Sequence, residues 1–288
     1  MSSLDFALGI ACVLSGTAIN SIGLILQKRE VNRSGIVDDS NITPFLKRPL
    51  WILGILMQTI LFAPFFFIGI DLIGITLAQP LSTAGLLVLV AGAVIGLKEK
   101  LSKIEWCGVS LAIAAIFLVS IAGVSGDVTI SAFFQITFLL SAITIIITIA
   151  ALVVTGSLMA RLSRKWAVQA LAMLVGTSYA VVSISGQLVT VGFDAVSLPG
   201  SEVLGWVLGI AGLAGVLLGT LFGIYFSQRA FKKAQAIHVI PVSSSINNIL
   251  PIVAGTFLFG QSIVFPWLFI PGIILLLVAV ILLARFQS

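Results

Sequence analysis

Nine apolar runs, separated by short charged or turn-forming stretches, dominate this chain of 288 residues. A helix needs about 20 mainly apolar residues to cross the hydrocarbon core of a bilayer, and each run is about that long or longer. Only 9% of the residues are charged and 59% are hydrophobic, which excludes a soluble enzyme and a disordered chain. The sequence therefore predicts an all-α polytopic membrane protein with about nine transmembrane helices. The runs are Phe6–Leu26, Leu50–Ile70, Leu72–Leu97, Trp106–Val124, Ser131–Thr155, Trp166–Val191, Val203–Phe226, Ile237–Phe259 and Val264–Ala284.

The cationic residues are confined to every second connection between these runs. All 15 Lys and Arg residues lie after odd-numbered runs, from Lys28 after the first to Arg285 after the last. Because Lys and Arg near helix ends are retained on the cytoplasmic side, the pattern predicts a multi-pass protein of the plasma or inner membrane, with its N-terminus outside and its C-terminus in the cytoplasm. The basic loops are interpreted as facing anionic lipid, and nucleic-acid binding is not expected.

The apolar runs are spaced similarly in the two halves of the chain, which indicates an internal repeat. A shift of 161 residues carries three successive runs onto three runs of opposite direction, and Asp71 in an outer loop falls on Lys232 in an inner loop. The predicted repeats are residues 1–124 with four helices and 131–288 with five, in inverted topology within a single membrane domain. Inverted repeats are typical of alternating-access carriers that bind their substrate near the bilayer midplane. The matched pairs are Gly54/Gly215, Thr59/Thr220, Phe65/Phe226, Pro80/Pro241, Ser82/Ser243 and Trp106/Trp267.

Neutral polar residues within the apolar runs are the candidates for substrate recognition. The densest group lies in the eighth run between Pro241 and Pro251, where two missing backbone donors predict a broken or bent helix with free carbonyl groups. Its counterpart in the repeat surrounds Pro80. Broken helices at corresponding positions of two repeats point to a binding site, whereas isolated polar residues more often join helices. The predicted substrate-binding residues are Asn20, Gln58, Gln79, Ser82, Thr83, Ser243, Ser244, Asn247 and Asn248, and further polar candidates are Gln27, Thr59, Gln187, Tyr225 and Gln228.

The sequence contains none of the motifs on which enzymatic catalysis usually depends. Phosphate-binding and dinucleotide-binding glycine signatures, HExxH and CxxC are all missing, and the single histidine, His238, has no carboxylate nearby in sequence. We therefore expect neither catalysis nor a cofactor, and no set of metal ligands is assigned. No Lys, Arg, Asp or Glu lies deep in an apolar run, which disfavours proton coupling through a buried carboxylate.

Five short segments are spread along nearly the whole chain: Arg48–Trp51, Gln79–Ser82, Lys98–Leu101, Gln228–Ala230 and Val239–Val242. Together they resemble the drug/metabolite transporter superfamily, the EamA-like carriers. Within that superfamily, the nine-run pattern and the Gln27-Lys28-Arg29 end of the first run are most similar to the NIPA-like magnesium transporters. That superfamily usually has ten helices in two five-helix inverted repeats, so the first half here is one helix short.

The resemblance implies a permease that moves a small solute by alternating access, with Mg²⁺ as its candidate substrate. Mg²⁺ usually keeps several waters and binds one or two carboxylates, and none lies at depth in these runs. A small amphipathic metabolite or an organic cation, imported or exported, is the alternative substrate. A non-transporting membrane scaffold or a lipid-binding subunit is the alternative class, since its polar residues would only join helices.

Overall fold

Almost every described residue of this protein is helical. The computed structural model describes residues 3–34, 43–73, 81–82, 84–99, 102–122, 124–125, 136–163, 166–259 and 262–285. The helices are α1 Ser3–Ser34, α2 Pro49–Leu56, α3 Phe62–Ile73, α4 Gly85–Gly96, α5 Lys103–Ala122, α6 Ile136–Leu162, α7 Ala167–Val196, α8 Glu202–Lys233, α9 Ala236–Phe257 and α10 Pro266–Arg285. A π-helical segment, Met57–Leu61, joins α2 to α3, and a short 3₁₀ helix, Thr43–Lys47, precedes α2.

Within the described part of the chain, six helical stretches are long and apolar enough to cross a bilayer. The prediction of an α-helical protein embedded in a membrane is confirmed at that level. Three further apolar helices are shorter, between Gly85 and Gly96, Trp106 and Val119, and Pro266 and Ala279. The full count of nine spans, the type of membrane and the orientation stay predictions. The six stretches are Leu4–Arg33, Pro49–Phe66, Phe138–Leu162, Ala167–Val196, Glu202–Lys233 and His238–Phe257.

The chain divides into two compact units that are not continuous in sequence. Unit 1 comprises Met1–Gly123, Gln228–Pro241 and Phe265–Ser288, and unit 2 comprises Val124–Ser227 and Val242–Val264. In unit 1, α10 packs closely against α5. The last helix of the predicted second repeat therefore belongs to the same unit as the predicted first repeat. The inverted repeat itself stays a prediction.

In each unit, one helix is more buried than the other candidate spans. In unit 1, this helix is α1, which packs against α2, α3 and α4. In unit 2, α7 carries the largest buried share, whereas the span in α6 has few buried residues. The short strands Val124–Ser125 and Ser262–Ile263 pair antiparallel within unit 2. Since large apolar side chains cover the exposed faces, these faces are suited to lipid.

Two glycines allow α1 and α2 to approach at backbone contact. A Cβ atom added at Gly54 would lie 2.6 Å from the carbonyl oxygen of Gly23, and 2.9 Å from Cγ of Gln27. Small residues at such crossings let helix backbones pack directly in a membrane. The Gly23 and Gly54 pair therefore fixes how α1 meets α2 beside Gln27.

Gly54→Ala is expected to lower the free energy of unfolding by about 1–3 kcal/mol, because the added methyl group would meet backbone atoms that cannot rotate away. Thermal unfolding in detergent measures the change. Gly96→Ala is the matched control, since its Cβ atom would come no nearer than 3.8 Å to Ile25 of the same α1 helix. Equal stability of the two variants would contradict this account of the crossing.

Candidate functional site

Helix α9 carries the densest polar stretch of the sequence and runs unbroken from Ala236 to Phe257. Of the predicted alternatives, a broken or a bent helix, the break at Pro241 and Pro251 is therefore wrong, and the bend stays a prediction. A proline removes one backbone donor, but in a helix surrounded by others the freed carbonyl groups can be satisfied without interrupting the helix. The polar side chains of α9 are thus presented by a continuous helix.

Within unit 2, the polar stretch of α9 packs against the buried helix α7. A Cβ atom added at Gly176 of α7 would lie 2.5 Å from the carbonyl oxygen of Ser243, so the two backbones touch there. Asn248 donates to the Ser244 carbonyl of its own helix at 2.7 Å. The Oδ1 atom of Asn247 is buried and has no hydrogen-bond partner. The adjacent asparagines therefore differ, since Asn248 bonds within its own helix whereas Asn247 has a buried acceptor without a partner.

A second residue of unit 2 also keeps an unused polar atom. Thr177 lies next to Gly176 on α7, is fully buried, and its hydroxyl has no partner. Buried polar atoms are nearly always paired in native proteins. Asn247 and Thr177 therefore mark a part of unit 2 with unmet hydrogen-bonding capacity.

Three glutamines form a hydrogen-bonded row inside unit 1. Gln228 Nε2 of α8 donates to Gln27 Oε1 of α1 at 2.8 Å, and Gln27 Nε2 donates to Gln58 Oε1 at 2.9 Å. Gln27 and Gln228 are fully buried, and Gln228 Oε1 at the end of the row has no partner. The row joins three candidate membrane spans through neutral amides and ends in a free carbonyl oxygen.

Local backbone features place Gln58 within reach of this row. Gln58 lies in the π-helical segment Met57–Leu61, and π segments often occur at functional sites. Pro64 follows that segment and cannot donate to the Ile60 carbonyl as an α-helix would require. The neighbouring contact between Gly23 and Gly54 brings α1 near enough for Gln27 to reach across.

A buried charged cluster lies beside the glutamine row, where the C-terminal end of α8 meets α1. Lys28 is only 4% exposed, and its ammonium group donates to the Phe231 carbonyl and, at 2.5 Å, to the Ala234 carbonyl. Glu99 is 7% exposed, accepts from the Ala236 backbone N–H at 2.9 Å and is an electrostatic partner of Lys28. These two side chains therefore bind the backbone at both sides of the turn between α8 and α9.

An ion pair lies at the same end of unit 1. Arg48 donates to the buried carboxylate of Glu30 at 3.1 Å, and Arg33 lies 3.6 Å from it. The ring of buried Phe45 lies 6.0 Å from that of Trp51 and 5.2 Å from the Lys232 ammonium group. This pair ties the end of α1 to the start of α2.

The structure places the predicted site residues in two separate units. Asn20 and Ser82 join Gln58 in unit 1, where Asn20 Oδ1 is buried without a partner and Ser82 is half-buried. Ser243, Ser244, Asn247 and Asn248 lie in unit 2. Gln79 and Thr83 lie outside the described residues, as does Pro80. The structure thus brings Gln58 together with Gln27 and Gln228. A contact between the segment around Pro80 and the segment Ser243–Asn248 stays a prediction.

The sequence interpretation missed Lys28, Glu99 and Thr177. Lys28 and Glu99 stand among other charges and look like parts of solvated loops. One feature of the sequence could have indicated that Lys28 is buried. Lys28 directly follows the candidate residue Gln27, and the first helix continues beyond the end of its apolar run. Thr177 gave no signal, because threonine is common in apolar helices as interhelical glue.

The buried atoms without a partner on Asn20, Thr177, Gln228 and Asn247 are all neutral oxygens. Within the described ranges, no group of three His, Cys, Asp or Glu residues could hold a metal ion. Comparison of this chain with protein-family models, characterised proteins and solved structures gives no match. Its function must therefore be inferred from its own residues.

Proposed function

We propose that this protein is a multi-pass permease that moves a small solute across the membrane by alternating access. The observation that carries the proposal is the glutamine row in unit 1, because all three amides lie in candidate spans, two of them are fully buried, and the row ends in an acceptor without a partner. Amides that only join helices are expected to be fully paired. A free buried carbonyl oxygen is instead suited to a ligand that arrives and leaves.

The unpaired oxygens of Asn20 and Asn247 support the same proposal. Both lie in helices that can span a membrane, one in each unit. In this proposal the segments around residues 79–83 and Ser243–Asn248 line the pathway, as the predicted inverted repeat would require. A scaffold would gain nothing from such oxygens, since an unpaired buried acceptor lowers stability.

The solute is one that neutral oxygens recognise, which favours a cation or a hydrogen-bond donor. Mg²⁺ is the first solute to test, because the resemblance to the NIPA-like transporters implies it and the ion can retain part of its water shell. With the proposed orientation, the membrane potential would favour entry by about 2.3 kcal/mol per charge for each 100 mV. Organic cations and small amphipathic metabolites form the comparison panel.

The test is uptake by vesicles that contain the purified protein and carry an inward-negative potential. We expect Mg²⁺, or one member of the panel, to enter these vesicles faster than protein-free vesicles, and cation entry to fall when the potential is reversed. Entry of a metabolite but not of Mg²⁺ would remove the ion and keep the permease. Absence of flux for the whole panel, in either direction, would refute the permease.

A further inference from the structure

We propose that Lys28 and Glu99 form a clamp that opens locally and acts as a gate in the transport cycle. The clamp comprises these two side chains and the backbone atoms they bind at the turn between α8 and α9, all within unit 1. Its role as a gate depends on the proposed permease function. Its existence as a local clamp depends only on the geometry below.

One half of the clamp holds the end of α8. The last carbonyl groups of a helix have no partner within the helix and carry a partial negative charge, so a cation is favoured there. Lys28 supplies that cation from α1, donating to the carbonyls of Phe231 and Ala234. The ring of Phe231 lies 5.9 Å from the ammonium group and adds a further favourable contact.

The other half holds the start of α9. The first N–H groups of a helix lack partners and carry a partial positive charge, so a carboxylate is favoured there. Glu99, just beyond the end of α4, accepts from the N–H of Ala236, the first residue of α9. Lys28 and Glu99 therefore bind complementary helix ends on either side of one turn.

The position of these two charges favours a contact that opens rather than a permanent structural contact. Burying two opposite charges costs much of what their attraction returns, so apolar residues would hold the turn at least as well. The bonds also end on helix termini, which belong to the parts of a protein that open most readily. Release of the clamp would free the turn between α8 and α9 from its contacts with Lys28 and Glu99.

Cysteine labelling of the full-length protein in detergent tests the clamp without any measurement of flux. Cys12 and Cys107 are first replaced by alanine, and a reporter cysteine replaces buried Ala236. We expect Lys28→Met or Glu99→Gln to raise the rate of labelling by a water-soluble maleimide by about tenfold, because each removes a charge-assisted contact. The double variant should add little to either single one, since both break the same clamp.

Two controls separate local opening from unfolding. Glu30→Gln removes the other buried carboxylate at this end, which bonds Arg48, and should leave labelling at position 236 unchanged. A second reporter, Ala180→Cys in the core of unit 2, should stay protected in every variant. Faster labelling at both positions would overturn the clamp in favour of a general stability role, and unchanged labelling at position 236 would overturn it outright.

Discussion

Asn247→Leu is expected to reduce solute flux by about tenfold or more while leaving the protein at least as stable as before. The Asn247 Oδ1 atom is buried without a partner, so its removal deletes no hydrogen bond of the resting protein and relieves the cost of an unpaired acceptor, about 1–3 kcal/mol. If that oxygen binds the solute, losing the bond costs a similar amount and lowers transport accordingly. Vesicle uptake and thermal unfolding of the same preparation measure the two effects.

Thr256→Val is the matched control, in the same helix but outside the proposed pathway segment. The Thr256 hydroxyl already donates to the Ile252 carbonyl at 3.0 Å, so its loss should change flux much less. A lipid-binding subunit or scaffold would show the stability gain of Asn247→Leu with no flux to lose. Undiminished flux in Asn247→Leu would exclude this oxygen from the pathway.

Gln27→Leu is expected to lower the free energy of unfolding by about 2 kcal/mol, because it strips partners from both of its neighbours at once. Gln228 would lose the acceptor of its Nε2 group and Gln58 would lose the donor to its Oε1 atom, both inside apolar helices. Each buried group left unpaired costs about 1–3 kcal/mol, although interhelical bonds in membranes average nearer 0.6 kcal/mol. Thermal or denaturant unfolding in detergent provides the measurement.

The triple variant Gln27→Leu/Gln58→Leu/Gln228→Leu is expected to recover part of that loss, since replacing all partners with apolar groups leaves none unpaired. Gln187→Leu, which removes a glutamine of α7 outside the row, should cost little. A triple variant less stable than Gln27→Leu alone would show that the three amides do not act as one unit.

The helices and their membrane character could be predicted from the sequence, because apolar length alone decides whether a helix can span a bilayer. The prolines of the eighth run did not break its helix, and the sequence could not show this, because a proline indicates which donor is missing but not whether neighbouring helices compensate for it. Gln58 was identified as a candidate from its polarity, yet its partners Gln27 and Gln228 belong to distant segments, and only the fold brings them together. Lys28 and Glu99 looked like loop charges because burial depends on what packs around a side chain.

The amino-acid sequence by itself determined that this is an α-helical membrane protein. The length of an apolar helix and the positions of its flanking charges decide how it interacts with lipid and water, and neither depends on tertiary contacts. Tertiary structure decided which of its polar groups are paired. The Gly23 and Gly54 contact lets two backbones meet, the glutamines then find each other, and the ammonium group of Lys28 reaches a helix end more than two hundred residues away in sequence. Hydrogen bonds form over about 3 Å, and such distances between remote segments exist only once the helices have packed.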